Sequence, residues 1–308
     1  MNQRQLDYFI RIAELGSFRK ASEALRIAQP ALSRHIQRLE DELEVQLFFR
    51  SGRGILLTNA GELLLERAQF LQRQTEQAIA DVRSEGNVPR GSVSIGAPGS
   101  VAHALFKPLV ENYLRLYPGV RLRLHDGVTY LHDLLLSGDL DLAILPTGRM
   151  PIEARIGTLT LVSEPAYLVG APGAFAPGSI CALSDVVKLP LVQAGTASSL
   201  TAKLEASALM SGTTLDIRVE TESLQVQKDL VRAGVGYAVL PFCAVFEDAR
   251  QGHLSLCRVE HCKLDRVLGW RADRPSTPAV RAMVALIREQ MGQLKQQGLF
   301  GPCDTHEP

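Results

Sequence analysis

Residues Ser17–Arg53 read SFRKASEALRIAQPALSRHIQRLEDELEVQLFFRSGR, two short helical patterns joined by a tight turn and followed by a basic ribbon. Leu32, Ile36, Leu39 and Leu43 recur at i, i+4, i+7 and i+11, which is the spacing of one buried helix face. The remaining surface of that helix carries Gln29, Ser33, Arg34, Gln37 and Arg38, donors and acceptors able to reach base edges and phosphates. Pro30 sits in the first turn, where an N–H has no intrahelical partner to lose, and the amide-rich helix start beside Gln29 favours anions. Glu40, Asp41, Glu42 and Glu44 gather at the opposite end, so the helix is segregated by charge.

Upstream, Leu6, Phe9, Ile10 and Ala13 form the apolar stripe of a preceding helix that stops at Gly16, and Ser17 caps the next one. Ala21, Ala24 and Leu25 give that second helix a small-residue face for close packing across the third. Downstream, FFRSGRGILLT places Gly52 and Gly54 between two β-prone runs, a hairpin with Arg50 and Arg53 available to backbone phosphates. An all-α helix-turn-helix with a β wing is expected over residues 1–58.

The stretch AQPALSRHIQRLEDELEVQLFFRSGRGILLTNAG resembles the N-terminal signature of LysR-type transcriptional regulators, and the match runs without gaps over roughly the first sixty residues. The resemblance implies a sequence-specific operator-binding regulator of bacterial type, not an enzyme, with no cofactor. It also implies an α/β effector domain of two lobes, similar to type 2 periplasmic binding proteins, and homotetramers that bend their operator. The expected partners are double-stranded DNA, a small-molecule effector, further copies of the chain, and RNA polymerase. Many members carry Ser just before the Gln-Pro pair; Ala28 stands there in this chain, so a phosphate contact from a hydroxyl at that point is absent.

From Thr58 to Gly86 the chain lacks Pro and, after Gly61, Gly, and Leu64, Ala68, Leu71, Thr75, Ala78 and Val82 alternate steps of four and three. This heptad seam on a helix of roughly 40 Å is most simply covered by a second copy, so residues 59–86 are expected to dimerise and to set the spacing of two reading helices. The segment 87–91 is a hinge with Pro89. Residues 92–300 then alternate β and helical runs: VSIGA, a helix over 100–117, VRLRLHD, a helix over 130–137, DLAIL, and a similar series from LPLVQA to GVGYAVLP. RVLGW and a helix over 278–297 return to the first lobe, giving lobe I as 92–162 with 267–300, lobe II as 163–266, and a tail at 301–308.

Small-molecule sites in such sheets lie where strands end and helices begin. Ser100, Thr129, and Ser198 with Ser199 stand at three such points, with Gln193 and Thr196 just before the last, which suits a carboxylate or another small polar effector. Each hydroxyl also has the simpler role of capping its helix.

Other patterns give less. Ser17 and Lys20 share the Ser-x-x-Lys spacing of some acylating enzymes, but a Ser opening a helix is commonly a cap. His253, Cys257, His261 and Cys262 have zinc-binding side chains, yet HLSLCRVEHC reads as a strand, which would separate its two histidines by about 26 Å. Gly234-Val235-Gly236 precedes a strand instead of following one, unlike a dinucleotide loop. A redox role for Cys181, Cys243 or Cys257 competes with inert packing. A transported-solute receptor and a hydrolase are the alternatives from other classes; the first wants an export signal and the second a nucleophile paired with a base. Thirty-three basic and thirty-three acidic residues balance, so the field at the DNA is local, from Arg19, Lys20, Arg34, Arg38, Arg50 and Arg53. Five Cys without a regular framework and no long apolar span fit a cytoplasmic protein.

Overall fold

The computed structural model describes residues 1–51, 54–83, 89–127, 130–147, 155–195 and 198–301. The chain divides into two compact units, Met1–Arg83 and Ser84–Pro308.

In the N-terminal unit, helices α1 (Gln3–Leu15), α2 (Phe18–Leu25) and α3 (Gln29–Leu43) surround one core. Asn2 and Gln5 cap α1 reciprocally, Gly16 closes it in the left-handed region at φ 60°, and the Ser17 hydroxyl accepts from the Lys20 N–H to start α2. Phe9, Ile12, Leu32, Ile36 and Leu39 are fully buried. Leu43 is only half-buried at the end of its helix, and Ala24 is exposed, so Ala21 and Ser22 form the close-packed face of α2. Strands β1 (Phe48–Ser51) and β2 (Gly54–Leu57) pair antiparallel as the wing. Thr58 ties the wing to helix α4 (Asn59–Arg83): its hydroxyl donates to the Gln46 carbonyl at 2.6 Å and accepts from the Gly61 N–H at 3.0 Å.

Among the described side chains of α4, those that pack inward lie in its first half. Ala68 is buried and Leu64 and Leu65 lie against the helical core, whereas Leu71, Thr75, Ala78 and Ile79 are exposed. The proposed seam therefore divides, its first two rungs serving this unit's own interior. Val82 lies on the helix, with its side chain outside the described set.

The second unit is built on β3 (Gly91–Ala97), β4 (Val120–Asp126), β5 (Leu142–Pro146), β6 (Ile156–Gly170), β10 (Ala238–Pro241) and β11 (Ser255–Arg271), in the order β10-β6-β11-β5-β3-β4. The short β7 (Ile180–Cys181) adds to β11 in parallel, while β8 (Pro190–Gln193) and β9 (Asp216–Glu220) pair in parallel and join Tyr237 through a bridge from Leu191. β6 and β11 are long antiparallel partners that run through both lobes. Their ladder slips between Arg258 and Lys263, where His261 takes φ 53°, and again between Arg266 and Val267. Helices α5 (Gly99–Leu116), α6 (Leu131–Ser137) and α11 (Pro278–Gln296) cover lobe I. Tyr113, Leu105, Leu109, Met283 and Ile287 form its centre, and the Tyr113 hydroxyl donates to the Ala279 carbonyl at 2.8 Å. Lobe II carries the short α7 (Leu183–Val186) with α8 (Ser199–Met210), α9 (Leu224–Arg232) and α10 (Phe242–Arg250), packed around Leu168, Leu191, Leu204 and Val239.

Candidate functional site

Two surfaces bring together the residues singled out in the sequence. The first is the outer face of α3. Burial of Leu32, Ile36 and Leu39 on one side leaves Gln29, Pro30, Arg34, Gln37 and Arg38 exposed on the other, with Ser33 half-buried between them. Ala28 opens the helix without a side-chain cap, but its carbonyl accepts from the Ala31 N–H at 2.9 Å and Pro30 has no N–H to offer, so the Gln29 N–H is the amide left at the helix start. Gln37 donates to Asp41 at 3.0 Å, which orients its amide along the helix. Glu40 has a different task from the rest of the acidic run: its Oε1 accepts from the Leu47 and Phe48 N–H groups at 2.8 and 3.3 Å and fixes the chain where it enters the wing. Arg50 lies on β1 with its side chain outside the described set, and Arg53 lies outside the described residues altogether.

The second surface is a cavity of about 630 Å³ between the two lobes of the C-terminal unit. Ser100, Gln193, Ser198 and Ser199 all line it, while Thr129 and Thr196 fall outside the described residues. Their hydrogen bonds separate them. Ser198 accepts from the Thr201 N–H as the cap of α8. Gln193 is fully buried and clamps β8 to β10, donating to the Val239 carbonyl at 3.1 Å and accepting from its N–H at 3.0 Å. Ser199 is 7 % exposed, and its hydroxyl has no partner among the described residues.

One residue of the cavity wall, Arg266, belongs to a buried ion pair that the sequence did not disclose. Arg266, on β11, is 1 % exposed, and its Nε donates to Glu164 of β6 at 2.6 Å. Glu164 also accepts from the Cys243 N–H at 3.1 Å, and Arg266 donates through Nη2 to the Ser100 hydroxyl at 3.0 Å. The Cys243 thiol donates to the Ser100 carbonyl at 3.3 Å. This network joins the start of α5 in lobe I to the start of α10 in lobe II at the crossing of the shared strands. Burial, followed by the adjacent Glu164 carboxylate, pushes the Cys243 thiol well above its ordinary pKa, so it stays protonated. The Cys181 thiol is likewise pushed up to about 12, chiefly by burial and then by Cys257.

A two-strand wing on a helix-turn-helix, and a separate unit of two α/β lobes enclosing a cavity, define a ligand-responsive DNA-binding regulator. Residues 3–62 match the family described as bacterial regulatory helix-turn-helix protein, lysR family, and residues 86–292 match the LysR substrate binding domain; the chain belongs to the LysR family of transcriptional regulators. Among its relatives is the nitrogen assimilation regulatory protein nac of Klebsiella aerogenes, 36% identical over 299 residues, spanning 96% of this chain and 92% of that one. The hydrogen peroxide-inducible genes activator of Pectobacterium carotovorum is 31% identical, over 94% of this chain and 97% of its own. Among solved structures, a full-length OxyR variant from Pseudomonas aeruginosa superposes with a TM-score of 0.66 at 25% identity, covering 100% of this chain and 99% of that one. CbnR in complex with its target DNA shares the fold at TM-score 0.68 and 23% identity, over 94% and 100% of the two chains. The relatives are regulators of transcription, not enzymes.

Proposed function

We propose that α3 enters the major groove of an operator, with Gln29, Ser33, Arg34 and Arg38 reaching bases and phosphates, Pro30 and Gln37 shaping that face, and Arg50 and Arg53 of the wing holding the backbone. One observation carries this reading: the polar face of α3 is exposed along its length while the opposite face is sealed into the core. The exposed row Leu71, Thr75, Ala78 and Ile79 of α4 joins two chains, and pairs of dimers make a tetramer whose operator bend and contact with RNA polymerase are the output, in the cytoplasm. No helix among the described residues is long and apolar enough to cross a membrane.

The interlobe cavity holds the effector. Ser100 and Ser199, with Thr129 and Thr196, contact it, and a carboxylate on the effector is received at the start of α8, where the Ser199 and Leu200 N–H groups precede the first helical hydrogen bonds. Binding favours one arrangement of the lobes over another by its differential affinity, and the oligomer transmits that preference to DNA. Electrophoretic shift assays on the upstream DNA test the reading. Arg34→Ala should cost roughly 1–3 kcal/mol and relax base choice. Unchanged affinity and specificity in that variant would overturn the assignment of α3.

A further inference from the structure

If the cavity is the effector site, the charge on its walls constrains the effector's chemistry. Asp126 stands at the end of β4 in lobe I and Glu222 just beyond β9 in lobe II, so each lobe contributes one carboxylate to the lining. Among the lining residues the guanidinium of Arg266 is the permanent cation, and Glu164 already neutralises it. Asp126 has no ion pair or hydrogen bond among the described residues, and Glu222 accepts one long bond, from the Gly195 N–H at 3.3 Å.

Two groups that are more than nine-tenths buried add acceptor oxygens to the same walls. The Ser199 hydroxyl has no partner among the described residues. Gln227 spends its Nε2 on the Thr221 carbonyl at 2.7 Å, which leaves Oε1 without a partner among the described residues. Acceptors in a cavity with two carboxylates and a neutralised arginine suit a donor that carries positive charge.

We propose that the effector bears a cationic nitrogen, an ammonium or amidinium group, held between Asp126 and Glu222 with Ser199 and Gln227 completing its hydrogen bonds. Asp126 and Glu222 set like charges on facing lobes, and their repulsion opposes closure. A cation between them reverses the sign of that interaction, so it binds the closed arrangement better than the open one, which is what an effector requires. A carboxylate on the same molecule reaches the start of α8, making the preferred ligand a zwitterion and not a plain acid.

Isothermal titration calorimetry on the full chain tests this with ω-amino acids of graded length, the alkylamines of the same length and the carboxylates that lack the amine. The amino-bearing probes should bind roughly tenfold or more tightly than the matched carboxylates, the scale of one charge-assisted hydrogen bond. Asp126→Asn and Glu222→Gln should each remove most of that preference. Carboxylates that bind as well as the amines, a preference that survives both substitutions, or no amine binding at millimolar concentration would each overturn the proposal. Operator shift assays run with the same probes keep the two readings apart. An amine that binds through Asp126 and leaves operator mobility unaltered would refute the cavity's regulatory role while sustaining the charge assignment.

Discussion

Arg266 carries a full charge at a position only 1 % exposed, and three neighbours make that tolerable: Glu164, the Ser100 hydroxyl and the Cys243 sulfur. Removing one member strands the others. Glu164→Gln or Arg266→Ala should cost about 3–5 kcal/mol, measured by urea unfolding of the C-terminal unit, whereas exchanging both for apolar residues should cost much less. Asp141 makes a pH-dependent case. Burial raises its pKa, outweighing the Ser94 N–H and hydroxyl bonds at 2.7 Å that pull it down. The folded protein therefore retains a proton that the unfolded chain releases near pH ~3.9. Its contribution to stability is complete below that point and fades as pH climbs through the raised value, and Asp141→Asn should flatten the slope in unfolding titrations between acid and neutral pH. The sequence has a fifth cysteine, Cys303, outside the described residues. With Cys181 and Cys243 held as thiols, a thiol reagent at neutral pH should modify the folded Cys303→Ser variant slowly until it unfolds; fast reaction of that folded variant would restore a redox role.

The junction between wing and α4 depends on a residue without a side chain. At Gly61 an added Cβ would stand 2.2 Å from the Leu47 carbonyl oxygen, which is itself bonded to the Thr58 N–H. Gly61→Ala gains roughly 1 kcal/mol of helix preference and still should destabilise the N-terminal unit, because backbone has to move. A lowered melting temperature with loss of operator binding would show it; a raised one would refute the clash. Elements of this unit were legible because their signals are local: Leu32, Ile36 and Leu39 declare the buried side of α3, and Gly16 with Ser17 marks a stop and a start. The lobes were less so. No strand is read at Ile156–Gly170 in the sequence, since Glu164 and Pro165 interrupt its alternation and the partner that admits Glu164, Arg266, lies 102 residues away. The cleft hydroxyls and the Gln193 amide were found from their places beside helix starts, but which of them lacks a partner among the described residues, Ser199 and not Gln193, depends on neighbours such as Val239 that only the folded chain supplies.

For the molecule as a whole, self-association and the lobes set the behaviour. Leu71 is 44% exposed and Ile79 46% on a helix about 37 Å long, which leaves an apolar row for another copy to cover. Leu71→Glu should shift sedimentation toward the single chain and weaken operator binding by ~100-fold or more through lost avidity; a dimer that persists would move the interface elsewhere. The long partners β6 and β11 bear on stability in another way. Because each is one continuous strand serving both lobes, neither lobe is complete when cut from the chain, and fraying in one strips hydrogen-bonded neighbours from the other. Heat should therefore dissolve residues 89–301 in one calorimetric step, and a protease that nicks either strand should cost the molecule both halves at once.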